Sequence, residues 1–280
     1  MKFRFRYFIH FGFIFEVFLF AFNLFLAIGI AFKLTKVQST QVLLAPVAGF
    51  SGWYFLVFFA IATLAILFIL KYVKKTWVIQ SLFYLAILEG LLIFGQAYFT
   101  YPASFYFVVF MVIVWLIYQN IFVHNIAIIL AVSAISVIFG LSLSPSMAII
   151  ILLILAIYDF WAVYKTKHMV KMFKGLAEAK VHFSLIIPET FRGLFTKVKE
   201  VNLGSEYLFL GTGDLAIPAI FVISSLKISI VTAFYTSIGA ILGLILLYTL
   251  FVIQEHRQPM PGLPPIIMGS LLGYLISFLI

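Results

Sequence analysis

Long apolar stretches alternate along this chain with short breaks of charged or turn-forming residues. Nine such stretches occur, at 8–32, 50–70, 77–99, 104–118, 121–141, 146–164, 207–226, 228–253 and 263–280. A helix that crosses a bilayer needs about 20 mostly apolar residues, so the pattern predicts an all-α polytopic membrane protein with nine transmembrane helices. The first stretch follows Lys2, Arg4 and Arg6 and looks at first like a secretory signal. It is longer than the roughly 7–15 apolar residues of a signal core, which makes it a retained helix.

One long polar segment, 165–205, interrupts the series. It divides a six-helix bundle, 1–164, from a three-helix C-terminal part, 206–280. Its first part interleaves lysines with His168, Met169, Met172, Phe173 and Leu176. Two readings stay open there, a basic amphipathic helix on the membrane surface and a solvated loop. No internal repeat is visible, which weighs against a transporter built from inverted halves.

Composition strengthens the membrane reading. Of the 280 residues, 65% are hydrophobic and 10% charged, against about 25% charged in soluble domains. The net charge of +9 is placed asymmetrically. If the N-terminus is cytoplasmic, the inner segments carry Lys2, Arg4, Arg6, Lys71, Lys74, Lys75, Lys165, Lys167, Lys171, Lys174, Lys180, Arg192, Lys197, Lys199 and Arg257, and the outer ones only Lys33, Lys36 and Lys227. Cytoplasmic loops are enriched in basic residues. The distribution therefore predicts a multi-pass protein of the cell membrane with its N-terminus inside and C-terminus outside. Basic residues beside apolar runs point to anionic lipid headgroups as partners and not to nucleic acid. The absence of cysteine excludes disulfides, thiol catalysis and zinc–thiolate sites.

Nine acidic residues remain to carry chemistry, and Glu178, Glu189, Glu200, Glu206 and Glu255 lie in or beside loops. The others, Glu16, Glu89, Asp159 and Asp214, fall within apolar stretches, where a central carboxylate costs on the order of 3 kcal/mol to insert. Asp159 is flanked at three-residue spacing by Ala156 and Ala162, and Asp214 by Gly211 with Gly213 adjacent. Small residues on one helix face let a neighbouring helix approach closely. Pro218 cannot bond the carbonyl of Asp214, four residues earlier, which loosens the helix at the acid. Glu16, and Glu89 with Gln96, read as interior hydrogen-bonding groups. By themselves two buried aspartates fit either interhelical bonding, a proton or cation relay in a transporter, or catalysis.

Three short motifs decide among these. Tyr158-Asp159 on the sixth stretch, Gly211-Thr212-Gly213-Asp214 on the seventh and Pro261-Gly262-Leu263-Pro264 before the last resemble the YD, GxGD and PAL motifs of the presenilin and signal peptide peptidase family of intramembrane aspartyl (GxGD) proteases. The resemblance covers the whole nine-span plan. It implies hydrolysis of peptide bonds within the transmembrane segments of other proteins, with Asp159 and Asp214 catalytic and Tyr158, Gly211, Thr212, Gly213, Pro261, Gly262, Leu263 and Pro264 shaping the site or binding substrate. It implies no cofactor and no metal, and no obligate partner subunit is evident. Gly262 stands where the family motif has alanine, and Thr212 where presenilins usually carry leucine, so substrate preference does not transfer.

Chemically, two carboxylates in a poorly solvated place share one proton and titrate as a unit. The ionised one takes a proton from an attacking water while the protonated one donates toward the peptide carbonyl. The prolines at 261, 264 and 265 predict a non-helical segment dipping into the membrane, where the N–H groups of Gly262 and Leu263 are available to an unwound substrate strand.

Rival hydrolase chemistries lack parts. Gly49-Phe50-Ser51-Gly52 spells the GxSG of rhomboid serine proteases, but a serine nucleophile needs a base in reach. His10, His124, His168, His182 and His256 all lie near predicted helix ends or in loops, and Ser51 reads as a helix N-cap. No HExxH pair exists for a zinc protease.

Overall fold

A computed structural model describes residues 11–36, 76–165, 183–201, 207–254 and 260–280, with positions 57 and 61. Apart from those two positions the predicted span 50–70 lies outside the described residues, as do the Gly49–Gly52 motif and the surface-helix candidate after Lys165. The described chain forms eight helices: α1 (Phe11–Lys36), α2 (Thr76–Tyr98), α3 (Tyr101–Tyr118), α4 (Ile121–Ser142), α5 (Pro145–Tyr164), α6 (Thr212–Ser225), α7 (Ile230–Ile253) and α8 (Leu263–Ile276). All but α6 and α8 are long and apolar enough to cross a membrane.

Helix boundaries follow local chemistry. The side chains of Asn120, Ser144 and Ser229 accept hydrogen bonds from the N–H groups of Val123, Met147 and Thr232, capping α4, α5 and α7. Each satisfies a first-turn donor that has no partner within its helix. Pro102 and Pro145 sit in first turns, where a missing N–H costs nothing.

The chain is mostly helical but not wholly so, which corrects the all-α expectation. Residues 207–211, expected to begin a spanning helix, form strand β2 (Tyr207–Gly211), which pairs antiparallel with β1 (Ser184–Pro188). Ser184 faces Gly211 and Pro188 faces Tyr207. The run Tyr-Leu-Phe-Leu suits a strand as well as a helix, and β1 offers it a backbone partner. All five residues of β1 are buried although they come from the polar segment. Neighbouring residues are also fastened to the start of α4: Ile121 N–H donates to Thr196 C=O and Val198 N–H to Gln119 C=O, at 3.1 and 3.0 Å.

α4 is the central helix, its buried face running from Ile121 to Gly140. α7 and α8 pack backbone to backbone through Gly239, Gly243, Gly269 and Gly273. A Cβ on Gly243 would lie 2.5 Å from the Pro265 carbonyl oxygen. Two small-xxx-small stripes facing each other permit such an approach, and it fixes the start of α8 rigidly against α7.

At the opposite end of the bundle from the sheet, Lys227 Nζ donates to the Leu143 carbonyl at 2.7 Å, satisfying the C-cap of α4. We expect Lys227→Met to lower stability by about 1 kcal/mol, read as a fall in the thermal midpoint of the detergent-solubilised protein. An unchanged midpoint contradicts the cap.

Candidate active site

Asp159 lies in the last third of α5 and is 4% exposed. Asp214 is the third residue of α6, where the first-turn N–H groups and the helix dipole favour a carboxylate. The strand-to-helix turn places it: β2 ends at Gly211 and α6 starts at Thr212, whose N–H donates to the Phe183 carbonyl at 3.3 Å. The Asp214 side chain folds back over Gly211, where a Cβ would stand 3.1 Å from Oδ2. Pro218 lies inside α6 and leaves the Asp214 carbonyl without its usual helical donor.

The loop before α8 touches both acids. Leu263 N–H donates to Asp159 Oδ2 at 3.1 Å. A Cβ on the preceding residue, Gly262, would sit 2.9 Å from Asp214 Cγ and Oδ2. One dipeptide therefore spans the two carboxylates, which are close enough for their charges to interact.

This arrangement revises the expectation for the proline segment. Pro261 and Gly262 are non-helical, and Leu263, Pro264 and Pro265 form the first turn of α8. Prolines there sacrifice no helical bond. The N–H of Leu263 is taken by Asp159 and so is not available to a substrate strand. α8 has 14 residues, about 21 Å at 1.5 Å each, short of a hydrocarbon core of about 30 Å.

The other expected site residues divide. Gly211, Gly262 and Leu263 pack against the carboxylates, and Pro261 is buried beside them in sequence. Thr212 and Pro264 are half-buried. Gly213 is exposed, with nothing within 4 Å of where its Cβ would be, so no contact in the fold explains its glycine. Tyr158 is 53% exposed.

Glu16, expected to be an interior group, is 8% exposed, but its setting is the site itself: it lies close enough to Asp214 for their charges to interact. Seven residues along α1, on the same helix face, Asn23 Nδ2 donates to the Leu215 carbonyl at 3.3 Å. α1 thus flanks the start of α6. The signal available in the sequence was the seven-residue spacing of two polar residues in an apolar helix. Glu89, also expected inside, is exposed on α2, and Gln96 is half-buried.

Beside the aspartates, α4, α5 and α6 form an open-sided pocket of about 210 Å³ lined by Ile135, Phe139, Leu152, Leu155, Ala216 and Ile217. Its lining is wholly apolar. Leu155 is one turn from Asp159, and Ile217 one turn from Asp214.

Two carboxylates converging on one backbone segment, inside a bundle of apolar helices, define an aspartate-pair site, with Asp159 buried and Asp214 half-buried. The chain belongs to the signal-peptide peptidase and presenilin aspartyl protease family, whose model matches residues 15–280. Its fold is similar to that of a solved presenilin family intramembrane aspartate protease in two crystal forms. In the P2 space group the identity is 24%, the TM-score 0.62, and the match covers 94% of this chain and 96% of that one. In the C222 space group the values are 23%, 0.60, 93% and 94%. A comparison with curated protein sequences gives no match. Family and fold together indicate a presenilin-like intramembrane aspartate protease, an integral membrane protein.

Proposed function

We propose that the protein is an intramembrane aspartic endopeptidase of the GxGD type, with Asp159 and Asp214 as its catalytic pair, cutting the transmembrane segments of other proteins in the cell membrane. The observation that carries this reading is the contact of one dipeptide, Gly262–Leu263, with both carboxylates. Leu263 N–H orients Asp159, and the start of α6 orients Asp214. One carboxylate accepts a proton from water as the water attacks the scissile carbonyl, and the other donates its proton toward the carbonyl oxygen.

A buried helix must be unwound before water can reach its backbone. Asn125 of α4 bonds both backbone groups of Ile186 and so holds the sheet from which β2 runs into the start of α6. The apolar pocket lined by α4, α5 and α6 suits a side chain from a membrane-spanning substrate.

Purified protein in detergent, incubated with a panel of single-span proteins, should release fragments cut within their apolar segments. A transition-state aspartyl inhibitor should suppress them. Absence of such fragments across the panel contradicts the proposal.

Orientation has its own test. The chain has no cysteine, so single cysteines report cleanly. Thr190 and Thr100 are exposed, at the β1 side of the bundle and between α2 and α3. Thr190→Cys should label from the cytoplasmic side and Thr100→Cys from the opposite one. Labelling of both from one side contradicts the orientation.

A further inference from the structure

Three buried side-chain oxygens have no hydrogen-bond partner among the described residues: Asn23 Oδ1, Gln96 Oε1 and Ser184 Oγ. Of these, Ser184 alone lies in the sheet, where it is 1% exposed and is the cross-strand partner of Gly211. Its carbonyl turns away from β2 toward His124 Nε2, 3.2 Å away, while the adjacent Phe183 carbonyl accepts from Thr212 N–H. Ser184 and Gly211 are therefore a non-hydrogen-bonded pair, the kind in which facing side chains stand closest, with Cβ positions about 4.5–5.5 Å apart on one face of the sheet. On that face of Gly211 lies the Asp214 carboxylate: a Cβ on the glycine would be 3.1 Å from Oδ2, and the Gly211 N–H bonds the same carboxylate. The Ser184 side chain thus shares a face with Asp214, at a separation that one bridging water spans. A stranded buried hydroxyl costs stability, and alanine would fill the same space without that cost. Buried water satisfies such groups where at least two polar partners converge, and Ser184 Oγ and Asp214 Oδ2 are two.

Resting on the reading of Asp159 and Asp214 as a proteolytic pair, we propose that Ser184 is a positioning residue for the attacking water, which it holds against Asp214. One O–H of that water donates to the Asp214 carboxylate and the other to Ser184 Oγ, leaving a lone pair free to meet the scissile carbonyl carbon. As the carbon–oxygen bond forms, the first O–H bond breaks and its proton passes to Asp214, while the carbonyl oxygen takes the proton carried by Asp159. Ser184 keeps its own proton throughout. Its contribution is to fix the orientation of the nucleophile, so its loss slows the chemical step and leaves substrate binding unchanged.

The test measures kcat, KM and the thermal midpoint on one single-span substrate in detergent for wild type, Ser184→Ala, Ser184→Val, Ser184→Thr and Asp214→Asn. In Ser184→Ala kcat should fall by about fivefold or more, the factor expected for one lost hydrogen bond, with KM unchanged and the midpoint not lowered. Threonine and valine have nearly the same shape and differ by the hydroxyl, so their comparison reports even if a larger side chain disturbs the strand. Ser184→Thr should keep a kcat about fivefold or more above that of Ser184→Val. An alanine variant with the wild-type kcat, or threonine and valine variants equally impaired, overturns the water site alone. Wild-type product that persists in Asp214→Asn, or is absent altogether, overturns the proteolytic reading and the water site with it.

Discussion

Asp159→Asn, Asp214→Asn and the double variant should each lose cleavage by about ten-thousand-fold or more, with the double variant scarcely worse than either single one. Groups that act as a unit show this non-additivity, and a lone carboxylate cannot be both acid and base. The substitutions are isosteric. Asparagine at position 159 can still accept from Leu263 N–H, 3.1 Å away, and asparagine at position 214 still fits over Gly211, so thermal midpoints should stay close to wild type. The measurement is product yield against time for the three variants at matched folded concentration. Appreciable cleavage by either folded single variant contradicts the pair assignment.

The second large effect is expected at Gly262, which carries no ionisable group. A Cβ at this position meets the Asp214 carboxylate at 2.9–3.0 Å on three of its atoms, closer than non-bonded contacts allow. Gly262→Val must displace either the carboxylate or the loop that holds Asp159 through Leu263. A misplacement of about 1 Å at a reacting centre costs about a hundredfold in rate, and we expect a loss of that size or greater in kcat with the protein still folded. Gly262→Ala needs a shift of only a few tenths of an ångström and should lose about tenfold or less. Steady-state cleavage of a single-span substrate separates the two. A folded valine variant that cleaves at the wild-type rate shows that the glycine is not holding the pair in place.

Helices were the legible part of the fold because a spanning segment must be apolar over its whole length, and eight of the nine predicted stretches appear among the described residues. The sheet was hidden for the same reason. Tyr207–Gly211 continues into the apolar run of α6, and short apolar runs read equally as strand or helix. Ser184–Pro188 is five residues in a polar segment, a strand made stable by burial and by Asn125 and not by its own pattern. The acids stood out because carboxylates in apolar stretches are costly. Distinguishing Glu16 beside Asp214 from Glu89 on an exposed face required helix rotation, which a uniformly apolar helix does not encode. The proline segment misled because missing N–H groups suggest a broken helix, whereas in the first turn of α8 they break nothing.

The most direct measurement of the central claim is hydrolysis in liposomes prepared in water enriched with heavy oxygen, using one single-span substrate and product mass analysis. The account predicts two fragments from a cut inside the apolar segment, the new C-terminal carboxyl carrying one heavy oxygen, and no fragments from Asp214→Asn. Intact substrate, together with proton or cation flux through the wild-type protein that Asp214→Asn abolishes, would contradict it and assign the buried aspartates to transport.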